Sequence, residues 1–126
     1  MKAGIAAAIA LVGMLGGGAA MAAEAKFDGN ELLMQCQHFI KLIDDEKGFS
    51  PVYAGACGGF VQGVDSTVFF YGEDLEKDAK FCTPKNATNA QLVRIVVKYL
   101  KDNPKQLNKD KTSLVWLALM DAYPCK

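Results

Sequence analysis

Four cysteines limit the chemistry of this chain more than any other residues: Cys36, Cys57, Cys82 and Cys125. Cysteine thiolates bind zinc, act as nucleophiles or oxidise to disulfides. Zinc sites and haem attachment need closely spaced pairs such as C-x-x-C, whereas these cysteines lie 21, 25 and 43 residues apart. An even number of widely spaced cysteines in a short exported chain is typical of disulfides. We therefore predict two disulfides, no metal and no cofactor.

The residues that could catalyse a reaction are few and scattered. His38 is the only histidine, and its position one residue off an apolar helical stripe indicates a surface or boundary residue. Acidic residues cluster at 44–46 and 73–78, either as solvated charges or as an acidic contact patch. With the cysteines oxidised, no nucleophile is paired with a base. The chain is therefore predicted to bind a partner and not to be an enzyme.

Three consecutive aromatic residues, Phe69, Phe70 and Tyr71, are a further candidate for binding. A helix cannot bury three consecutive side chains on one face, so we expect one of them to be partly exposed. They form either the edge of the core or an anchor at a protein interface, where aromatic side chains often dominate the binding energy.

The first 22 residues predict export. A lysine at position 2 precedes an uncharged apolar stretch, and Ala20-Met21-Ala22 fits a cleavage site, as in secretory signal peptides. A membrane anchor is the alternative, but a spanning helix needs about 20 apolar residues, and residues 16–18 are all glycine. We predict a signal peptide over 1–22 and a periplasmic domain over 23–126 that is not stably inserted in a membrane.

The charges of the full chain are balanced, with 14 basic and 14 acidic residues. A balanced chain exerts little long-range attraction on polyanions, so we expect neither nucleic acid nor an anionic membrane as a partner. The predicted mature part is long enough for one small domain, which is only marginally stable unless disulfides staple it.

Apolar periodicity predicts two helices before residue 72. Asn30 would cap the first helix, which would become polar towards its end and stop at Gly48. Ser50 would cap the second helix, with Pro51 at its first position. The second segment contains four glycines, at positions 55, 58, 59 and 63, so two strands are the alternative. We favour a helix, because glycine and alanine at three- and four-residue spacing let a neighbouring helix approach closely, and the apolar spacing is helical.

Two further helices are predicted after a charged connector over 73–80, which could hold a short helical turn. Thr88-Asn89-Ala90-Gln91 has the pattern of a capping box, and Asn103-Pro104 would stop that helix. Its predicted buried stripe is Leu92, Ile95, Val96, Tyr99 and Leu100. The last helix would carry Leu107, Leu114, Val115, Ala118, Leu119 and Ala122 on one face and end at Pro124.

Helix geometry favours one pairing of the cysteines among the three that four cysteines allow. In an antiparallel hairpin turning at residues 47–49, Cys36 and Cys57 lie at similar heights, because each residue advances a helix by about 1.5 Å. Cys82 and Cys125 both lie at the open end of a second hairpin. We therefore predict Cys36–Cys57 and Cys82–Cys125 in an all-α domain of four helices arranged as two hairpins.

The motifs of the chain, taken in order, resemble those of a known family. They are Cys57-x-Gly59-Phe60-Val61-x-Gly63-Val64, Phe81-Cys82-x-Pro84, Thr88-x-x-Gln91-Leu92-x-x-Ile95-Val96-x-Lys98-Tyr99-Leu100, Asn103-Pro104 and Leu114-Val115-x-x-Ala118-Leu119-x-x-Ala122-x-Pro124-Cys125. Together they look like the signature of the Rap/Tai immunity proteins. The similarity covers about Leu32 to Cys125 and is fairly specific, because the cysteines, the capping box and the terminal Pro-Cys occur in this order.

The resemblance implies a helical exported protein, often a homodimer, that protects a bacterium from peptidoglycan amidase effectors delivered into the periplasm by type VI secretion. Such a protein would bind the amidase and occlude its catalytic cleft. The chain departs from the family at Asn103, where a histidine is common, and in its basic stretch over 105–111. We expect residues 101–111 or 73–80 to carry the contact. The candidate contact residues are Lys101, Asn103, Lys105, Gln106, Asn108, Lys109, Glu73, Asp74 and Glu76.

A second interpretation belongs to a different functional class. A general periplasmic stress protein or holdase chaperone would also be small, helical and exported. Such a protein would expose apolar surface when its carboxylates become protonated or when its dimer separates. Protection of client proteins from acid aggregation would favour this interpretation, whereas a tight complex with one amidase would favour immunity.

Overall fold

The computed structural model describes residues 27–126, so the predicted signal peptide lies outside the described residues. Two single 3₁₀ turns, Lys77–Ala79 and Pro104–Gln106, lie in the connections that flank the third helix. The predicted all-α fold is confirmed. No helix within the described part of the chain is long and apolar enough to cross a membrane. The four helices are α1 (Gly29–Ile43), α2 (Pro51–Phe70), α3 (Asn89–Asp102) and α4 (Lys111–Ala122).

The predicted starts of α2 and α3 are confirmed by their caps. Ser50 Oγ accepts a hydrogen bond from the Tyr53 N–H at 3.3 Å, and a proline follows Ser50 at the first helical position. Thr88 Oγ1 accepts from the Gln91 N–H at 3.2 Å, and Gln91 Oε1 accepts from the Thr88 N–H at 2.9 Å. These reciprocal bonds satisfy amides that a helix start leaves without intrahelical partners.

The starts of α1 and α4 differ from the prediction. Asp28, not Asn30, caps α1, because the Asp28 carboxylate accepts from the N–H groups of Asn30 and Glu31 at 3.0 and 3.1 Å. Asn30 therefore lies inside the first turn. Asp110 caps α4, so Leu107 lies before the last helix and not on it.

The end of α1 also differs from the prediction. The Asp45 N–H donates to the Leu42 carbonyl at 3.3 Å and the Glu46 N–H to the Lys41 carbonyl at 2.8 Å, which is a Schellman motif. Asp45 has the left-handed φ of 56° that this motif requires. Gly48, with a φ of 82°, turns the chain later in the same loop and does not end the helix.

The glycine-rich segment is helical, as predicted, but its glycines do not all serve close packing. At Gly58 an added Cβ would lie 2.7 Å from Phe39 Cε2, so α1 and α2 approach each other closely there. A Cβ at Gly55, Gly59 or Gly63 would have no described atom of the rest of the molecule within 4 Å. Within one chain, the prediction that a neighbouring helix approaches closely is therefore wrong at these three glycines.

Both predicted disulfides are confirmed. Cys36–Cys57 joins α1 to α2 and is fully buried. Cys82–Cys125 joins the segment before α3 to the segment after α4, and the Cα atoms are 5.0 Å apart in each pair. Beside the second disulfide, an isolated antiparallel bridge pairs Phe81 with Pro124. Each helical hairpin is thus closed by its own disulfide.

α3 packs against all three other helices and buries a wider stripe than predicted. Val93 and Val97 are buried in addition to the predicted residues, of which Ile95 and Tyr99 are only half-buried. The apolar core among the described residues consists of Leu32, Cys36, Ala54, Cys57, Val61, Val64, Val68, Phe81, Leu92, Val93, Val96, Val97, Leu100, Leu114, Val115, Ala118 and Leu119.

Candidate partner-binding surface

The only histidine of the chain is part of the fold. His38 Nδ1 accepts a hydrogen bond from the Ser50 N–H at 2.9 Å, and the His38 ring lies 5.3 Å from the Tyr53 ring. All four cysteines are in disulfides. Over residues 27–126 there is also no group of three histidine, cysteine or carboxylate side chains that could hold a metal ion.

The loop between α3 and α4, residues 103–110, is fixed by its own hydrogen bonds. The Gln106 N–H donates to the Asn103 carbonyl at 3.0 Å, and the Lys109 N–H donates to the Gln106 carbonyl at 2.9 Å. Asn103 Nδ2 donates to the Tyr99 carbonyl at 2.8 Å, and the Tyr99 hydroxyl donates to Gln106 Oε1 at 3.3 Å. Asn103 and Gln106, two of the predicted contact residues, are half-buried and form the frame of this loop.

The other predicted contact residues of this region are exposed: Lys101, Lys105, Asn108 and Lys109. None of the three lysines is in an ion pair within the described residues. The rigid frame therefore presents basic side chains to the solvent.

The two carboxylates at the ends of this region are engaged locally. Asp102 pairs with Lys98 on α3, and the hydrogen bond and charge of Asp102 raise the pKa of Lys98. Asp110 accepts from the Ser113 hydroxyl at 2.6 Å and the Ser113 N–H at 2.9 Å. These hydrogen bonds lower the pKa of Asp110. The loop itself contains two lysines, Lys105 and Lys109, and one aspartate, Asp110, so its net charge is positive although Asp110 stays ionised.

The connector over 73–80 has the opposite charge. Glu73, Asp74 and Glu76 are all exposed. The Ala79 carbonyl accepts a hydrogen bond from Trp116 Nε1 at 2.9 Å, which ties the connector to α4. The predicted helical turn is present as the 3₁₀ turn of this segment.

The two predicted contact regions are not brought together. The 103–110 loop leads into the start of α4, whereas the connector leads to Phe81, which pairs with Pro124 just beyond the end of α4. Along α4, Trp116, which bonds the connector, lies about 8 Å from Lys111 at 1.5 Å per residue, and the 12 residues of the whole helix span about 18 Å. The basic loop and the acidic connector are therefore separate surfaces.

The three aromatic residues at the end of α2 form a third surface. Phe69, Phe70 and Tyr71 are 88%, 77% and 50% exposed, so all three are exposed where one was predicted. A groove of about 650 Å³ lies beside them, and Phe69, Lys80 and Phe81 are among the residues that line it. The three rings stay exposed because Val68 is the residue that is buried in the core in this turn of α2.

Residues 27–30 contact the basic loop through backbone hydrogen bonds, although they are not among the predicted contact residues. Asp28 and Asp110 form an isolated antiparallel bridge. One signal for this segment was present: an aspartate followed three residues later by Glu31 is a typical helix start. The long-range pairing with residue 110 has no such local signal.

The chain was compared with protein families, with curated proteins and with solved structures. The family model described as Rap1a immunity proteins matches residues 28–125, which is nearly all of the described chain. The comparisons with curated proteins and with solved structures gave no match.

Proposed function

This chain belongs to the Rap1a immunity proteins, and we propose that it protects a bacterium by binding a peptidoglycan amidase effector of type VI secretion in the periplasm. An immunity protein is not an enzyme, and it acts by binding a cognate toxin. The two disulfides are typical of an oxidising compartment outside the cytoplasm. The predicted signal peptide over 1–22 supports the periplasm as that compartment.

The basic loop over 103–110 is the surface that we propose enters the amidase cleft. Its frame is fixed by internal hydrogen bonds, while Lys105, Asn108 and Lys109 project into the solvent. A surface that is already ordered loses little conformational entropy on binding. This combination of a hydrogen-bonded frame and exposed side chains is the observation that carries the proposal.

The proposed mechanism is steric occlusion. The loop fills the cleft and excludes substrate, so inhibition requires no chemistry from the immunity protein. Exposed lysines speed association with an acidic surface, and salt screens that attraction. We therefore infer that the amidase surface around the cleft is acidic.

A protection assay tests this proposal against its closest alternative site. The product of the adjacent gene, first assayed for peptidoglycan amidase activity, is directed to the periplasm of a susceptible bacterium, together with wild type or with one of two variants. Lys105→Ala/Lys109→Ala changes the basic loop, and Glu73→Ala/Asp74→Ala changes the acidic connector. We expect wild type and the connector variant to protect the cells and the loop variant to fail. Protection by the loop variant and failure of the connector variant would move the contact to residues 73–80.

We also propose that the chain forms a homodimer through the outer face of α2. This face is uncharged and exposed along the whole helix, and it is roughly symmetrical about position 61. Two copies packed antiparallel would place Val52 against Phe70 of the partner subunit, with glycines at the crossing. Its residues are Val52, Gly55, Ala56, Gly59, Gly63, Ser66, Thr67 and Phe70.

The dimer is tested by sedimentation of a charged variant. Gly59→Arg has open space for its side chain within one chain and removes a helix-interior glycine, so it should not destabilise the monomer. We expect wild type to sediment as a dimer and Gly59→Arg as a monomer, while the same charge at exposed Asn86 leaves the dimer intact. Dimeric Gly59→Arg would exclude this face.

A further inference from the structure

Residues 27–30 form a strap across the basic loop. The Gly29 N–H donates to the Lys109 carbonyl at 3.1 Å, and the Asn30 N–H donates to the Leu107 carbonyl at 3.2 Å. In the opposite direction, the Lys111 N–H donates to the Phe27 carbonyl at 3.1 Å. The strap thus satisfies backbone groups on both sides of the exposed residues Asn108 and Lys109.

The side chain of Asn30 adds two bonds to the loop. Asn30 Nδ2 donates to the Leu107 carbonyl at 3.1 Å and lies 3.4 Å from Asn108 Oδ1, in hydrogen-bond contact with it. Asn108 is one of the exposed residues that we assign to the amidase contact. Asn30 itself is exposed, and these two bonds go to the loop and not to the core.

Two further contacts fix the strap in place. A Cβ at Gly29 would lie 2.4 Å from Leu114 Cδ1 and 2.9 Å from the Leu107 carbonyl oxygen, so the strap backbone approaches the loop as closely as only glycine allows. Lys111 Nζ lies 5.0 Å from the centre of the Phe27 ring and 3.5 Å from Glu31 Oε2. The strap is thus bound to the loop along its whole length.

We propose that this strap holds the basic loop in its binding conformation, and that Asn30 is a positioning residue for the amidase contact. The inference rests on the proposed function, because it concerns the same loop. Without Asn30 the loop would keep its fold but would also sample other conformations. The affinity of the protein for the amidase would then fall in proportion to the time that the loop spends outside its binding conformation.

The test compares Asn30→Ala with Asn86→Ala, a matched exposed asparagine outside the strap. Amide hydrogen exchange of residues 105–110 is measured on the free oxidised protein, and the Kd for the amidase is measured separately. We expect Asn30→Ala to speed exchange in the loop about five- to tenfold, since a hydrogen bond contributes about that factor, and to raise the Kd in proportion to the loss of the binding-competent fraction. The thermal midpoint should stay close to that of wild type, and Asn86→Ala should change neither quantity.

The outcomes separate this inference from the proposed function. Loop exchange that is the same in Asn30→Ala and wild type overturns the strap, whatever the partner does. Faster exchange with an unchanged Kd shows that the strap does not position the contact, which also overturns the inference. Failure of wild type to bind any amidase overturns the proposed function, and with it the role of Asn30 in binding, while the exchange data still report whether the strap orders the loop.

Discussion

Asp110 shows how one side chain couples the stability of this protein to pH. Its carboxylate accepts two hydrogen bonds from Ser113, and these lower the pKa of Asp110 in the folded state. A lowered folded pKa means that folding favours the ionised carboxylate. The stabilisation is fully present above the ordinary aspartate pKa of about 3.9 and is lost as the pH falls through the lowered folded value.

This coupling predicts the behaviour of two variants at position 110. Asp110→Asn keeps an oxygen that caps α4 but does not titrate, so its free energy of unfolding should fall less than that of wild type between about pH 5 and pH 2. Asp110→Ala should lose about 1 kcal/mol at neutral pH, because the cap itself is gone. Urea unfolding at a series of pH values measures both effects. Equal pH dependence in wild type and Asp110→Asn would contradict this account.

His38 links the two helices of the first hairpin. Its Nδ1 accepts from the N–H of Ser50, the residue that caps α2, and its ring contacts Tyr53. His38→Ala leaves the half-buried Ser50 N–H without this partner, so we expect a loss of about 1–3 kcal/mol of stability. Gln37→Ala, at the exposed neighbouring position, should stay within about 0.5 kcal/mol of wild type. Denaturant unfolding of both variants checks this, and equal stability of the two would refute the role of His38.

At the scale of helices, the two kinds of glycine in α2 give a matched prediction. Gly55 is open, so Gly55→Ala should raise the stability of the helix by about 1 kcal/mol. At Gly58 the added methyl group would meet the Phe39 ring, so Gly58→Ala should lower stability by about 1–3 kcal/mol. Thermal unfolding at low protein concentration measures the change in stability caused by each of the two substitutions. The same sign for both substitutions would contradict the packing described here.

The starts of α2 and α3 were predictable, because a cap depends on residues only three or four positions apart. Thr88 with Gln91, and Ser50 with its following proline, have the bonds that their sequence indicates. The pairing of the cysteines also followed from their heights and positions in two antiparallel helical hairpins. Which side of a helix faces a neighbour depends on the whole packing, and Val93 and Val97 were missed because α3 has neighbours on several sides. The candidate site was predictable only in part: the exposed lysines were found, but the strap over 27–30 depends on contacts about 80 residues apart.

At the scale of the whole molecule, the two disulfides differ in their access to solvent. Cys36 and Cys57 are fully buried, whereas Cys82 is exposed and Cys125 half-buried at the open end of the second hairpin. Limited dithiothreitol, followed by alkylation and mass spectrometry, should therefore label Cys82 and Cys125 first. The disulfide between them spans a separation of 43 residues and lowers the entropy of the unfolded chain, which raises the free energy of unfolding by about 4 kcal/mol. The singly reduced protein should therefore unfold at a lower temperature. Earlier labelling of Cys36 and Cys57 would contradict this.

The central claim is that the protein inhibits an amidase by inserting its basic loop. The most direct test is to assay the product of the adjacent gene for peptidoglycan amidase activity, to titrate that activity with oxidised wild type and with Lys105→Ala/Lys109→Ala, and to follow peptidoglycan cleavage. We predict that wild type abolishes cleavage at a one-to-one ratio of subunits, that inhibition weakens with added salt, and that the loop variant inhibits at least tenfold less well. Full amidase activity in a saturating excess of wild type, or equal inhibition by the loop variant, would contradict it.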